Sequence, residues 1–221
     1  RIGANGMDYK GYNIAVHEFG HCVEQTITLH NVPFYMLHGV PNTAFTEAVA
    51  FLFQAKDLEL LGVKISTGKE ELEALNALDN CWSVYEIMGV SLVDQRVWKW
   101  MYENPDATPE QLKNAVTDIA IKVWNEYYAP VFGVKDSPIL AIYSHMIDAP
   151  LYLSNYPVGH LIEYQIEDYV EGKNIANEIT RMFSQGKLIP QIWMKNAVGS
   201  EISAKPCLDA AAEAVDYLNK K

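Results

Sequence analysis

The sequence predicts an all-α fold, a multi-helix bundle, on three observations. Apolar residues recur at three- and four-residue spacing along nearly the whole chain. The strict alternation of a half-buried strand is scarce. Gly and Pro punctuate the periodic stretches where helices should stop and start. Taken in order, a first helix is expected from about Tyr12 to Leu29, closed by Asn31-Val32-Pro33. A second begins at Asn42 or Thr43 and ends before Gly62, a residue suited to a left-handed cap. Lys69 to Asn104 reads as one long helix, or two joined at Gly89, with Pro105 as the stop. Thr108-Pro109-Glu110-Gln111 opens the next: an N-cap Thr, Pro at the first position, and a Gln placed to close a capping box. Further helices are expected at Pro138–His145, Pro157–Glu171, Asn174–Gln185, Pro190–Val198 and Pro206–Leu218. No repeat, low-complexity tract or composition break marks a linker. The expectation is therefore one helical domain over residues 1–221, the C-terminal part of a longer protein.

Composition narrows the classes. The 221 residues are 49% hydrophobic, enough to bury a core and too many for intrinsic disorder. A net charge of −11 without a basic stripe speaks against nucleic acid as a partner. No apolar run approaches the ~18 residues of a membrane span. Cys22, Cys81 and Cys207 are odd in number and far apart, so they make neither a disulfide framework nor a paired-cysteine zinc site. The five tryptophans fall at helical spacings among other apolar residues and read as core. The chain opens Arg1-Ile2-Gly3-Ala4 without an initiator Met, which leaves a leader, and hence a cytoplasmic or a periplasmic or secreted location, open.

The chemistry is carried by His17-Glu18-Phe19-Gly20-His21 in the first helix. At 3.6 residues per turn the two histidines stand one turn apart on one face, so their imidazoles can converge on a single metal ion. Glu18 lies about 100° around the helix from His17, out of easy reach of the metal but within reach of a water bound to it. That is the logic of the H-E-x-x-H pattern: two nitrogen ligands, and a carboxylate that takes a proton from the water. The flanking Ile14, Ala15, Val16, Cys22 and Val23 suggest a buried helix, in which two imidazoles and a carboxylate would be costly without a metal.

A catalytic zinc usually takes three protein ligands and keeps one position for water. The extended H-E-x-x-H-x-x-G-x-x-H pattern fails, because Glu24 and Ile27 stand where Gly and His are required. His30 and His38, beside the turn after the helix, are alternatives. Glu47 is the stronger candidate: it is the lone carboxylate between Glu24 and Asp57, in the opening turns of an otherwise almost wholly apolar helix. An acid so placed needs a partner, and a cation is the obvious one. Glu24, three residues beyond His21, is placed to hydrogen-bond a ligand ring.

With Glu47 downstream of the histidine pair, the chain resembles the gluzincin metallopeptidases. More narrowly, it resembles the all-α branch of thimet-type oligopeptidases, angiotensin-converting enzyme and the thermostable carboxypeptidases. A second stretch adds to the likeness: Tyr143-Ser144-His145, then Tyr152 and Tyr156 leading into Pro157-Val158-Gly159-His160, where that branch carries a His and one or more Tyr before a long C-terminal helix. The resemblance implies the catalytic half of a neurolysin-like fold. It also implies that His145 hydrogen-bonds the substrate backbone and that Tyr156 donates to the oxyanion, with Tyr152 as the other candidate. His160, one turn after Tyr156, reads more readily as a ring packed within the bundle. The chain departs from the pattern at Phe51, where family members carry an Asp that orients a zinc-binding histidine. It departs again in length, since the family's cleft lies between two helical halves; this chain would supply the metal-bearing half, the N-terminal half coming from elsewhere.

The expected activity is zinc-dependent hydrolysis of peptide bonds, in short peptides, with one Zn2+ per chain held by His17, His21 and Glu47. Glu18 is the expected general base, and a peptide the partner. The alternative is a non-hydrolytic helical binding module, or an inactive fragment, that retains the metal site.

Overall fold

The computed structural model describes residues 2–4, 6–64 and 66–220. It is all-α apart from a two-residue antiparallel pairing of β1 (Ile2–Gly3) with β2 (Gly6–Met7), in which Ile2 faces Met7. The helices are α1 (Tyr9–His30), α2 (Thr43–Gln54), α3 (Asp57–Leu60), α4 (Lys69–Glu103), α5 (Pro109–Val123), α6 (Ala129–Phe132), α7 (His145–Asp148), α8 (Asn155–Val170), α9 (Ile175–Phe183), α10 (Pro190–Val198) and α11 (Lys205–Asn219). The capping box at Thr108 forms: its hydroxyl accepts from Gln111 N, and the Gln111 side chain accepts from Thr108 N. Gly133 and Gly199 end α6 and α10 in the left-handed conformation that a side chain would oppose.

Contacts gather into two compact units, residues 1–81 with 158–221, and residues 82–157. In the first, α2 is buried nearly all round. Its Phe45, Val49 and Leu52 pack with Ile162 and Ile166 of α8, Met182 and Phe183 of α9, and Trp193 and Met194 of α10. Trp193 meets Phe45 and Phe183 edge to face at 4.9 and 5.1 Å, the geometry that suits aromatic quadrupoles.

The second unit is built on Val90, Val93 and Val97 of α4, Ala120 and Val123 of α5, and Leu140, Met146 and Leu153. Gly89 does not divide α4. A Cβ there would overlap the Tyr128 ring, whose hydroxyl donates to the Tyr85 carbonyl at 2.5 Å. A widened π turn at Trp124–Tyr128 precedes Pro130, whose ring would otherwise meet the carbonyl one turn back. Trp82 departs from the expected core: it is 48% exposed and lies edge-on to Phe132.

The expected helix over Pro138–His145 is not formed. A 3-10 turn covers Ile139–Ala141, and α7 starts only at His145. Exposed Ile142 and Tyr143 lie between them, so no continuous apolar face holds a helix there.

Candidate metal centre

The site is made by the crossing of α1 on α2, within the first unit. Asp8 caps α1, accepting from Gly11 N at 2.7 Å. The face of α1 turned inward carries Gly11, Val16, Gly20, Glu24 and Thr28, close to a four-residue stripe. Ile14, Ala15 and Cys22 are on the exposed side instead, as is Phe19 at 55% exposure, so of the flanking residues only Val16 is buried and the helix is covered on one face alone. Gly20 is what lets the two helices meet. A Cβ there would sit 2.7 Å from Ala50 Cα and 3.1 Å from Val49 O, closer than real side chains approach.

Across this close crossing Glu47 faces both histidines. Its Oε2 lies 3.5 Å from His17 Nε2 and 3.9 Å from His21 Nε2. One ligand atom from each of the three residues falls within 4.8 Å of the others, and among the described residues this is the group able to hold a metal ion. At zinc–ligand distances near 2.0–2.2 Å, tetrahedral ligands stand about 3.3–3.6 Å apart, so the 3.5 and 3.9 Å separations of Glu47 from the two rings are close to what zinc requires. Gly159 lets α8 pack closely against α2 at this point; a Cβ on it would lie 3.0 Å from Glu47 Cβ and 3.2 Å from Ala44 O.

Both imidazoles are also held from the rear. His17 Nδ1 meets Gln54 Oε1 at 3.0 Å, and His21 Nδ1 meets Thr46 Oγ1 at 2.9 Å. Partners on Nδ1 leave each Nε2 for the ion, the usual arrangement for ligating histidines. Glu24, the sequence's candidate for this task, instead accepts from the Thr28 hydroxyl at 2.9 Å. Neither Thr46 nor Gln54 is singled out by the sequence; the one signal for them is that they are polar side chains in a largely apolar helix, Gln54 lying two turns after Glu47 on the same face.

Burial disfavours a charged His17 ring, but a hydrogen bond and charge from Glu47, with help from Gln54 and Glu18, raise its pKa above the ordinary value. Phe51, where the resemblance would place an Asp, stacks on His160 at 3.8 Å and 8° between planes. Burial, and then the nearby His17, push the His160 pKa down to about 4, so this ring is neutral at physiological pH. Glu18 is exposed on α1, near enough to His17 to raise its pKa by charge.

The other sequence candidates are not members of this cluster. His30 is exposed at the end of α1, and His38 spends its Nε2 on the Val32 carbonyl at 2.9 Å. His145, Tyr152 and Tyr156 belong to the second unit, where they line up: His145 to Tyr152 at 6.1 Å between ring centres, and Tyr152 to Tyr156 edge to face at 5.6 Å. Compared with models of known protein families and with curated proteins, the chain matches none.

Proposed function

We propose that this chain is a zinc-dependent peptidase of the H-E-x-x-H type, hydrolysing peptide bonds at the site formed by α1 and α2. The observation that carries the reading is the convergence of His17, His21 and Glu47, which come from two helices with Glu47 26 residues beyond His21, beside an exposed Glu18. Bound zinc would supply Lewis acidity and lower the pKa of a coordinated water towards neutrality. His17, His21 and Glu47 would hold the ion, Gln54 and Thr46 would keep the two rings turned towards it, and Gly20 and Gly159 set the backbone spacing.

Glu18 accepts the proton of the attacking water at its carboxylate and passes it to the nitrogen of the leaving amine, so that no net proton is consumed. His160, held neutral against Phe51, adds no positive charge beside the ligands.

Replacing Glu18 with Gln tests the assignment. The variant should bind zinc as the parent does, yet lose turnover of short peptides by about a hundredfold or more, the scale of a removed general base. Parental turnover in Glu18→Gln would overturn the mechanism. A zinc-loaded parent with no peptidase activity would favour the second reading, a binding module that keeps the metal site.

A further inference from the structure

A chain of side chains runs away from the metal centre, and its hydrogen bonds have a direction. Asp57, 5% exposed at the start of α3, accepts at Oδ2 from the Tyr9 hydroxyl at 2.7 Å and from Asn13 Nδ2 at 2.8 Å. The Tyr12 hydroxyl donates to the Asp57 carbonyl at 3.1 Å and anchors the same residue from its backbone. With its amide nitrogen committed to Asp57, Asn13 turns its Oδ1 towards Gln54 and accepts from Gln54 Nε2 at 2.5 Å. Gln54 must then present its carbonyl oxygen to His17 Nδ1, at 3.0 Å.

Turning Asn13 over would set its carbonyl against the Asp57 carboxylate and its nitrogen against Gln54 Nε2, and turning Gln54 over would set its carbonyl against Asn13 Oδ1, so each flip breaks the chain. A carboxylate only accepts, so Asp57 fixes the polarity of the whole chain. An amide carbonyl only accepts as well, so the His17 atom facing it must carry a hydrogen.

We propose that Asp57, Asn13 and Gln54 are positioning residues that hold neutral His17 in the Nδ1–H tautomer against the competing acceptor Glu47, 3.5 Å from Nε2, so that the Nε2 lone pair is aimed at the ion site. Together they do for His17 what a single carboxylate does when it touches a ligating imidazole directly. The amides carry the orientation over two links while the negative charge stays at Asp57. His21, backed by the Thr46 hydroxyl, lacks this constraint, because a hydroxyl can donate or accept. The two ligands therefore differ: His17 has its tautomer set by the fold, whereas His21 adapts to its partner. The consequence for zinc affinity rests on the proposed metal site; the tautomer itself does not.

The test uses the full chain with Gln54→Leu, which removes the acceptor, and Gln54→Glu, which keeps one. Long-range proton–nitrogen NMR on the metal-free protein, at a pH above the raised His17 pKa, reads the tautomer. The parent and Gln54→Glu should show His17 as Nδ1–H, and Gln54→Leu should shift it towards Nε2–H. Competition with a chromophoric chelator then reads zinc affinity: Gln54→Leu should bind 10–100-fold more weakly, and Gln54→Glu should recover most of the loss. Circular dichroism and melting of each variant separate this from unfolding, since a folded Gln54→Leu with the altered tautomer is the expected state. An Nε2–H His17 in the parent, or a tautomer indifferent to Gln54→Leu, overturns the proposal. If the parent takes up no zinc while the tautomer follows Gln54, the positioning chain stands and the metal reading falls.

Discussion

Glu163, which is not among the His17–His21–Glu47 cluster, shows how a buried ionisable residue bears on stability. It lies on α8, 4% exposed, with Asn80 Nδ2 donating to its Oε2. Burial first, and then charge and a hydrogen bond from Glu167, raise its pKa well above the ordinary value. A carboxyl whose folded pKa exceeds its unfolded one keeps its proton longer when folded. Its stabilising effect is therefore complete at pH values below the unfolded pKa and is lost as the pH rises towards and through the folded one. Glu163→Gln still offers Asn80 an acceptor but carries no charge. Thermal melts should show the variant above the parent at pH 8, with the gap closing towards pH 4. A gap that widens on acidification would contradict this account. At this scale the sequence was most legible where chemistry and spacing coincide: two histidines one turn apart, and one acid in an apolar helix. Asn13 and Gln54 were not legible as site residues, because a neutral amide signals nothing until a helix crossing selects its partner, and Asp57 was hidden inside an expected helix.

Element boundaries depended on whether the local signal was complete. The capping box at Thr108 and the Pro–Gly limits of α10 fell where the sequence put them, since both ends carried their own residues. α1 begins at Tyr9 rather than near Tyr12, because Asp8 supplies a cap ahead of the first strongly periodic residues. α2 stops at Gln54 and a separate turn, α3, carries Asp57, so the break that presents Asp57 to α1 was hidden inside one expected helix. The crossing of α1 on α2 yields a prediction of its own. Gly20→Ala gains about 1 kcal/mol of helix propensity but drives a methyl against the Ala50 backbone, an overpacking cost of about 1–3 kcal/mol. A backbone atom cannot rotate aside, so overpacking should win: a lower melting temperature and weaker zinc binding together. A variant as stable as the parent and equally tight for zinc would show that the close approach is not needed.

For the molecule as a whole, periodicity alone disclosed the all-α class, because amphipathic helices repeat their signal over many turns. The division into two units left no such trace. It falls at Cys81–Trp82 and Pro157–Val158, inside the spans of α4 and α8, where no linker composition marks a boundary. The central claim is that this fold brings His17, His21 and Glu47 together as one ion site. Isothermal titration of zinc into the chelator-stripped full chain, in parallel with His17→Ala, His21→Ala and Glu47→Ala, tests it most directly. The account expects one zinc per chain and a loss of about tenfold or more in affinity for each variant. No stoichiometric uptake by the parent, or undiminished binding after Glu47→Ala, would contradict it.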